Sequence, residues 1–305
     1  MKPKVLVLMS TYNGEQYLET QVKSILNQKG VEIHLLIRDD GSTDNTVKIL
    51  QEYKNMYSNI DWFSGKNLKP AKSFIDLLIK CSKKYDYYAF ADQDDFWYPD
   101  KIIVAIQKLK ILEGPSLYCS NALLVDKNLN SLNKLEYNYI PKFTFQRVLI
   151  SGDIQGATMV MNNKLVQLFE NIKMPSYIPM HDYFVAVVCA GVGGNIIFDQ
   201  QVHMKYRQHG DNVLGIDYSI KGKLKRNLNR IIKQNEFLDL EKICKELMKQ
   251  QDFQFKPDYL KILRLGSAYK ESIAKRVKMA TLKDMKFQKL NQTISYRLAL
   301  VLGKI

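Results

Sequence analysis

The first third of the chain alternates between short apolar runs and helical patterns, and this alternation limits the folds open to it. Apolar runs that predict strands lie in "KVLVLMS", "VEIHLLIRDD", "IDWFSG" and "DYYAFADQDD". Between them, apolar residues recur every three or four positions in "EQYLETQVKSILNQ", "NTVKILQEYKN" and "PAKSFIDLLIKCSKK", which predicts helices. Strands that alternate with helices form a mainly parallel sheet with helices on both faces. We therefore expect an α/β fold.

Polar loops follow three of these strands, in "STYNG", "RDDGSTD" and "DQDD". Ligands bind such sheets at the carboxyl ends of the strands, so we expect the loops to converge on one crevice. Asp92, Asp94 and Asp95 are neighbours in the last loop, and their like charges repel unless a cation lies between them. Hard cations such as Mn²⁺ or Mg²⁺ prefer carboxylate oxygens, which makes the loop a candidate metal site. A capped surface turn is the alternative, and the aromatic residues that follow, Trp97 among them, can form a pocket wall.

After residue 100 the alternation is looser. "SLYCSNALLVD" and "GATMVMN" predict strands, and "HDYFVAVVCAGV" predicts a buried helix beginning near Asp182. From about residue 218 the pattern is helical, with an amphipathic stretch over 219–250 and a second helical stretch over roughly 257–302. The segment 294–305 adds a short apolar end.

The charge of the chain is concentrated towards its C-terminus. The net charge is +14, and residues 216–305 hold 21 Lys and Arg against 9 Asp and Glu, which leaves 24 against 22 for residues 1–215. A basic region of this kind favours an anionic partner surface, such as phospholipid, nucleic acid or a polyanionic substrate. A solvated helical face is the alternative.

Other classes of protein are disfavoured. The four cysteines are scattered without a CxxC spacing, which is typical of buried thiols in a reducing compartment rather than of a metal or disulfide framework. No apolar run approaches the ~18 residues of a membrane-spanning helix. The initial apolar run, "VLVLM", is too short for a signal peptide and suits a first core strand.

Five segments resemble family 2 glycosyltransferases, and most of all their bacterial rhamnosyltransferase-like branch: "LMSTYNGEQYLETQVKSILNQ", "LLIRDDGSTDNTVKIL", "FADQDDFWYPDKI", "HDYFVAVV" and "YRQHGDNVLG". The resemblance covers about residues 3–215. It implies a GT-A glycosyltransferase domain over 1–215, with a nucleotide-binding α/β half and an acceptor half, followed by a basic helical C-terminal region over 216–305. The implied reaction is inverting transfer of a sugar, rhamnose first, from a nucleotide diphosphate to a glycan hydroxyl in the synthesis of cell-surface polysaccharide or glycoconjugate.

The resemblance also implies roles for particular residues. Donor-binding positions are Ser10, Thr11 and Tyr12 at the base and ribose, Asp40 at the base N3–H, Lys72 near the diphosphate, and Asp92. The metal positions are Asp94, as the direct ligand, with Asp92 and His209, and the catalytic base is Asp182. The chain departs from some relatives at Lys69, where they have Gly, and at Tyr183, where they have Trp.

The residues themselves support inversion. An acceptor hydroxyl needs a base within hydrogen-bonding reach, and Asp182 begins a helix whose dipole favours the ionised carboxylate. One base and one metal-assisted leaving group allow a single displacement, whereas retention requires a carboxylate nucleophile beside the anomeric carbon, and no second pair is evident. An ordinary helix cap at Asp182 and a plain loop histidine at His209 are the alternatives.

The expected partners are a pyrimidine sugar nucleotide (dTDP-rhamnose, then a UDP-hexose), a divalent cation, a glycan or lipid-linked acceptor and an anionic membrane. We expect a cytoplasmic protein held peripherally at the inner face of the cell membrane, and leave a homo-oligomer open. Nucleic acid is not expected, because the few aromatic residues of the basic region are not interleaved for stacking. A nucleic-acid-binding protein and a non-catalytic nucleotide-sugar-binding subunit remain the alternative functions.

Overall fold

The strands join into one mixed sheet in the computed structural model, which describes residues 1–209 and 238–305. Its first part is built from β1 (Lys4–Thr11), α1 (Leu18–Leu26), β2 (Glu32–Asp39), α2 (Thr46–Met56), β3 (Ile60–Ser64), α3 (Lys69–Lys80) and β4 (Tyr87–Ala91). These strands lie in the order β3-β2-β1-β4, and all of them are parallel. The parallel α/β arrangement expected from the alternating pattern is confirmed.

The second part extends the same sheet with mostly antiparallel strands. It comprises β5 (Phe96–Trp97), α4 (Lys101–Leu109), β6 (Ser116–Val125), β7 (Ser131–Leu135), α5 (Phe145–Ser151), β8 (Val160–Asn162), α6 (Asn163–Gln167), α7 (His181–Gly191) and β9 (Asn195–Arg207). The order continues as β8-β6-β9-β5, with β7 beside β6. Only the β6–β9 pair is parallel in this part of the described sheet.

The core lies on both faces of the sheet. Successive residues of β1 point to opposite faces, so Val7 packs with α1, α2 and α4, while Leu8 packs with α3, α5 and α7. Both side chains are fully buried. This explains why the strands read as continuous apolar runs: a sheet covered on both faces has no solvent side.

The C-terminal residues form four α-helices in the described segment 238–305: α8 (Leu240–Lys249), α9 (Pro257–Ser267), α10 (Ile273–Ala280) and α11 (Leu290–Val301). The continuous helical stretch expected over 257–302 is therefore divided, and Ser272 caps α10 by accepting a hydrogen bond from the Lys275 N–H. The helices pack on the body through buried Leu263 and Leu300 and through Glu246, which accepts two hydrogen bonds from Ser176. The expected domain boundary near 215 and most of the amphipathic stretch 219–250 lie outside the described residues.

The structure also tests the expectations for the segment "GATMVMN" and for the cysteines. The predicted strand in "GATMVMN" is confined to Val160–Asn162, because Gly156–Thr158 forms a 3₁₀ turn whose Gly156 N–H donates to Asp182. All four cysteines are buried free thiols, as expected. Among the described residues, the helices are too short or too polar to cross a membrane.

Candidate active site

The three polar loops converge, as expected, on one crevice at the carboxyl ends of β1, β2 and β4. Its volume is about 830 Å³, within the range of small-molecule sites. The start of α3, the start of α7 and the end of β9 complete the wall. The lining includes Ser10, Tyr12, Asp40, Lys69, Asp92, Gln93, Asp94, Gly156, His181, Asp182, Tyr206 and His209.

The Tyr12 loop is fixed by a side chain that the sequence did not single out. Gln93 accepts a hydrogen bond from the Tyr12 N–H at 2.9 Å and donates one to the Tyr12 carbonyl at 3.1 Å. The Tyr12 side chain is therefore held at the crevice while remaining 48% exposed, which leaves its ring available for stacking. Ser10 shares a 2.6 Å hydrogen bond with Ser73 at the crevice wall, whereas Thr11 is buried beneath it.

Asp40 and Asp39 have different surroundings. Asp40 lines the crevice, forms an ion pair with buried Arg38 and accepts a hydrogen bond from the Leu68 N–H at 2.9 Å. Asp39 accepts from the backbone N–H groups of Gly41 and Ser42, which makes it the organiser of its own turn. Asp39 therefore shapes the turn after β2 and does not line the crevice.

The first turn of α3 contributes Lys69 to the crevice rather than Lys72. Lys69 has a φ of +63°, in the left-handed region that favours glycine. Lys72 lies three residues further along α3, half-buried and outside the crevice lining. A contact between Lys72 and a diphosphate therefore stays a prediction that needs a side-chain or helix movement.

The acid cluster (Asp92, Asp94 and Asp95) lies directly after the carboxyl end of β4. The Asp94 Oδ2 lies 2.7 Å from the His209 Nε2. Asp95 is fully buried, and its Oδ1 accepts from the Arg207 N–H at 3.0 Å while its Oδ2 has no hydrogen-bond partner in the described residues. Burial, followed by the nearby Asp94 charge, raises the pKa of both Asp92 and Asp95 well above the usual range. Three negative charges in the cluster are therefore unfavourable near neutral pH unless a cation neutralises them.

A divalent cation beside the cluster would allow its carboxylates to be ionised together. Carboxylates and one imidazole are suitable ligands for Mn²⁺ or Mg²⁺, and a cation would relieve the repulsion that raises the pKa of Asp92. Within 1–209 and 238–305, no three His, Cys, Asp or Glu side chains are already grouped as a complete metal cage. Such a cage is not required, since Mg²⁺ keeps several waters and takes phosphate oxygens as ligands.

Lys101, the first residue of α4, lies buried beneath the acid cluster. Its ammonium donates to the Ala157 carbonyl at 2.9 Å and lies 3.5 Å from the centroid of the Trp97 ring. Burial lowers the pKa of Lys101 to about 7, against the opposing charges of Asp95 and Asp92. Trp97 is consequently a core residue rather than the pocket wall that its position suggested.

Asp182 faces the crevice from the first turn of α7. Its Oδ2 accepts from the Gly156 N–H at 2.9 Å and its Oδ1 from the Tyr183 N–H at 2.7 Å. Burial raises the pKa of Asp182 to about 6, although the backbone hydrogen bonds act in the opposite direction. The carboxylate is thus ionised near neutral pH and is a stronger base than an exposed aspartate.

The neighbours of Asp182 define its setting. His181 stacks on Phe74 with ring centroids 4.0 Å apart, and burial lowers the pKa of His181 to about 3, so the imidazole is neutral. Tyr183 is buried, and its hydroxyl donates to the Leu149 carbonyl at 2.8 Å. Tyr183 therefore lies in the core between α7 and α5, whereas Lys69 lies in the crevice.

Comparison with known proteins agrees with this architecture. Solved structures that align with it include S. aureus TarS 1–349 in complex with UDP-GlcNAc (TM-score 0.55, 15% identity, 99% of this chain and 89% of that one). The mannosyltransferase PcManGT from Pyrobaculum calidifontis, in complex with GDP-Man and Mn²⁺, aligns with a TM-score of 0.52 at 12% identity over 100% of this chain and 87% of that one. At such identities the likeness concerns the fold, and the GT-A fold expected from the sequence is confirmed.

Sequence relatives carry the comparison further. The dTDP-rhamnosyl transferase RfbG of Shigella flexneri is 33% identical over 72% of this chain and 77% of its own length. The putative teichuronic acid biosynthesis glycosyltransferase TuaG of Bacillus subtilis is 30% identical over 45% of this chain and 56% of its own. The sequence model described as glycosyl transferase family 2 matches residues 6–165. The chain therefore belongs to glycosyl transferase family 2.

Proposed function

We propose that this glycosyltransferase moves rhamnose from dTDP-rhamnose to a hydroxyl of a glycan acceptor, with inversion at the anomeric carbon. The observation that carries the proposal is the arrangement of carboxylates in one crevice, where Asp182 faces the space bordered by Asp40 and the acid cluster. The similarity to RfbG, a dTDP-rhamnosyl transferase, supports the choice of donor, and a UDP-hexose is the second choice.

The carboxylates that line the crevice have different partners, and these partners suggest a different role for each. Asp40 is held by Arg38 and by the Leu68 N–H, in a place suited to the N3–H of a thymine or uracil, on which the Tyr12 ring can stack. Asp92 and Asp94 belong to the acid cluster beside His209. Among the described residues that line the crevice, this leaves Asp182 as the carboxylate for the acceptor.

Asp182 acts as the base in a single displacement. Its carboxylate takes the proton of the acceptor hydroxyl as the oxygen bonds to the anomeric carbon and the bond to the diphosphate oxygen breaks. The Gly156 N–H fixes the direction of the carboxylate, and burial keeps it basic. Asp94 and His209, with Asp92, would hold a divalent cation, which supplies charge stabilisation for the departing nucleoside diphosphate when it is bound.

We also propose peripheral attachment at the cytoplasmic face of an anionic membrane, where lipid-linked glycan acceptors would be reached. The support is the +12 charge of residues 216–305 (21 against 9). We also propose that residues 216–305 form a unit distinct from the catalytic domain 1–215.

The stereochemical test is an NMR spectrum of the transfer product. Inversion predicts an anomeric configuration opposite to that of the donor, and Asp182→Asn should reduce transfer roughly 10²–10⁴-fold while the donor still binds. Retention of configuration, or transfer by the variant at the wild-type rate, would contradict the proposal.

A further inference from the structure

Helix α11 is apolar on two opposite sides, and only one side is covered. Leu300 and Thr293 are buried against the body, and Tyr296 packs on the same cluster. The other side carries Leu290, Ile294, Leu298 and Leu302, which are 75%, 51%, 58% and 60% exposed. We call these four side chains the exposed row. A second apolar side on a helix is normally covered by a partner, so the exposed row indicates a missing partner.

The exposed row is continuous rather than scattered. Its members recur every four residues, which places them on one face of the helix and spreads them along ~18 Å of its axis. Helix α10, which packs against α11, adds Ile273 and Val277, also four residues apart and 71% and 43% exposed. Single exposed apolar residues are ordinary on a protein surface, but a row of this length is not.

The net charge of the segment that carries the exposed row favours one kind of partner. Residues 270–305 hold nine Lys and Arg but only two Asp and Glu. Both acids are already in ion pairs, Glu271 with Lys275 at 2.5 Å and Asp284 with Lys286 at 3.5 Å. A second copy docked through this face would bring two strongly positive surfaces together, whereas anionic lipid would neutralise them.

We propose that the exposed row inserts into the interface of an anionic bilayer while the surrounding lysines contact lipid headgroups. This deepens the membrane attachment put forward under the proposed function and rests on it. It differs from attachment by charge alone, because apolar side chains that enter the acyl boundary hold the protein after salt has screened the lysines.

Insertion can be observed directly with a dye. The native cysteines are all buried, so Leu298→Cys in the full chain offers a selective site for an environment-sensitive fluorophore. Its emission should shift to the blue with phosphatidylglycerol vesicles and stay unchanged with phosphatidylcholine vesicles. Ile111→Cys, at a 76% exposed apolar residue after α4, is the matched control and should not respond. Equal shifts at both positions, or none at position 298, would overturn the insertion.

Sedimentation with vesicles separates the two modes of attachment. Ile294→Gln with Leu298→Gln should weaken binding to phosphatidylglycerol vesicles at least tenfold and make the remainder fully releasable by 0.5 M salt, with the melting temperature unchanged. Ile111→Gln should bind like the wild type. If the double variant binds as tightly and releases at the same salt as the wild type, charge alone attaches the protein and the exposed row is not used. If the wild type does not bind the vesicles and the double substitution only converts a dimer into monomers, the exposed row is a self-association surface. The proposed membrane attachment is then wrong as well.

Discussion

Replacing Asp182 by Asn should raise the stability of the folded protein relative to wild type as the pH rises. The amide cannot accept from both the Gly156 and the Tyr183 N–H groups, and this adds a cost that does not depend on pH. The variant removes a carboxylate that the fold buries and whose pKa it raises from 3.8 to about 6. An acid with a raised pKa binds its proton more tightly in the folded state than in the unfolded state. Below about pH 4 it is protonated in both states and costs nothing, and its cost grows until the pH passes the folded value. Asparagine is neutral throughout and escapes this cost.

The size of the effect follows from the two pKa values. The difference between 3.8 and about 6 corresponds to about 3 kcal/mol of lost stability at high pH. About 2 kcal/mol of this develops between pH 4.5 and pH 8. At roughly 2 °C per kcal/mol for a chain of this size, the variant should gain about 4 °C over wild type at pH 8 relative to the same comparison at pH 4.5.

The assay is a thermal melt of both proteins in matched buffers at several pH values. Asp44→Asn is the control: burial alone would raise the pKa of Asp44, but hydrogen bonds from Thr46 and Glu15 outweigh it and lower the pKa. Because both pKa values of Asp44 lie at or below 3.8, the stability that its carboxylate contributes is already almost complete at pH 4.5. The difference between Asp44→Asn and wild type should therefore stay the same from pH 4.5 to pH 8 and shrink only below about pH 4. If the stability difference between wild type and Asp182→Asn is the same at pH 4.5 and pH 8, burial does not raise the pKa of Asp182. The assignment of Asp182 as the base then loses its physical support.

Three further variants test other parts of the site. Asp94→Asn should keep the fold and lower turnover by ~10²-fold or more, with excess EDTA doing the same to wild type; full activity in either case would exclude a metal at this carboxylate. Gly156→Ala would place a Cβ 2.5 Å from the His181 Nε2 and 3.3 Å from the Asp182 Cβ, so we expect at least a tenfold loss of transfer, measured beside unchanged donor affinity. Tyr183→Phe loses the hydrogen bond to the Leu149 carbonyl and should cost about 1 kcal/mol in a melt while transfer rates stay normal, unless Tyr183 contacts the acceptor after all.

The fold and the place of the site could be predicted because local patterns specify them. Periodicity indicated the parallel half of the sheet, and the ends of its strands indicated where Tyr12, Asp40 and Asp94 meet. The supporting contacts could not be predicted, because they join residues far apart in sequence. Nothing in the sequence showed that Lys101 would reach the Ala157 carbonyl or that the Gly156 N–H would hold Asp182.

The pKa of Asp182 could not be predicted from its place in the helix for a similar reason. The dipole at the start of α7 favours a readily ionised carboxylate, whereas burial among distant elements dominates and raises the pKa. The pattern over 257–302 likewise showed helical character but not its division into three helices, which are separated by Ala268–Ser272 and Thr281–Lys289.

Donor binding tests the central claim most directly. In a thermal-shift screen of dTDP-rhamnose, UDP-glucose and GDP-mannose, each with and without Mn²⁺, a ligand at 100 times its Kd stabilises the folded state by about 2.7 kcal/mol, or roughly 5 °C for this chain. The account predicts the largest shift with dTDP-rhamnose, a dependence of that shift on Mn²⁺, and the loss of the Mn²⁺ dependence in Asp94→Asn. A clear preference for GDP-mannose, or equal shifts with and without Mn²⁺, would contradict it.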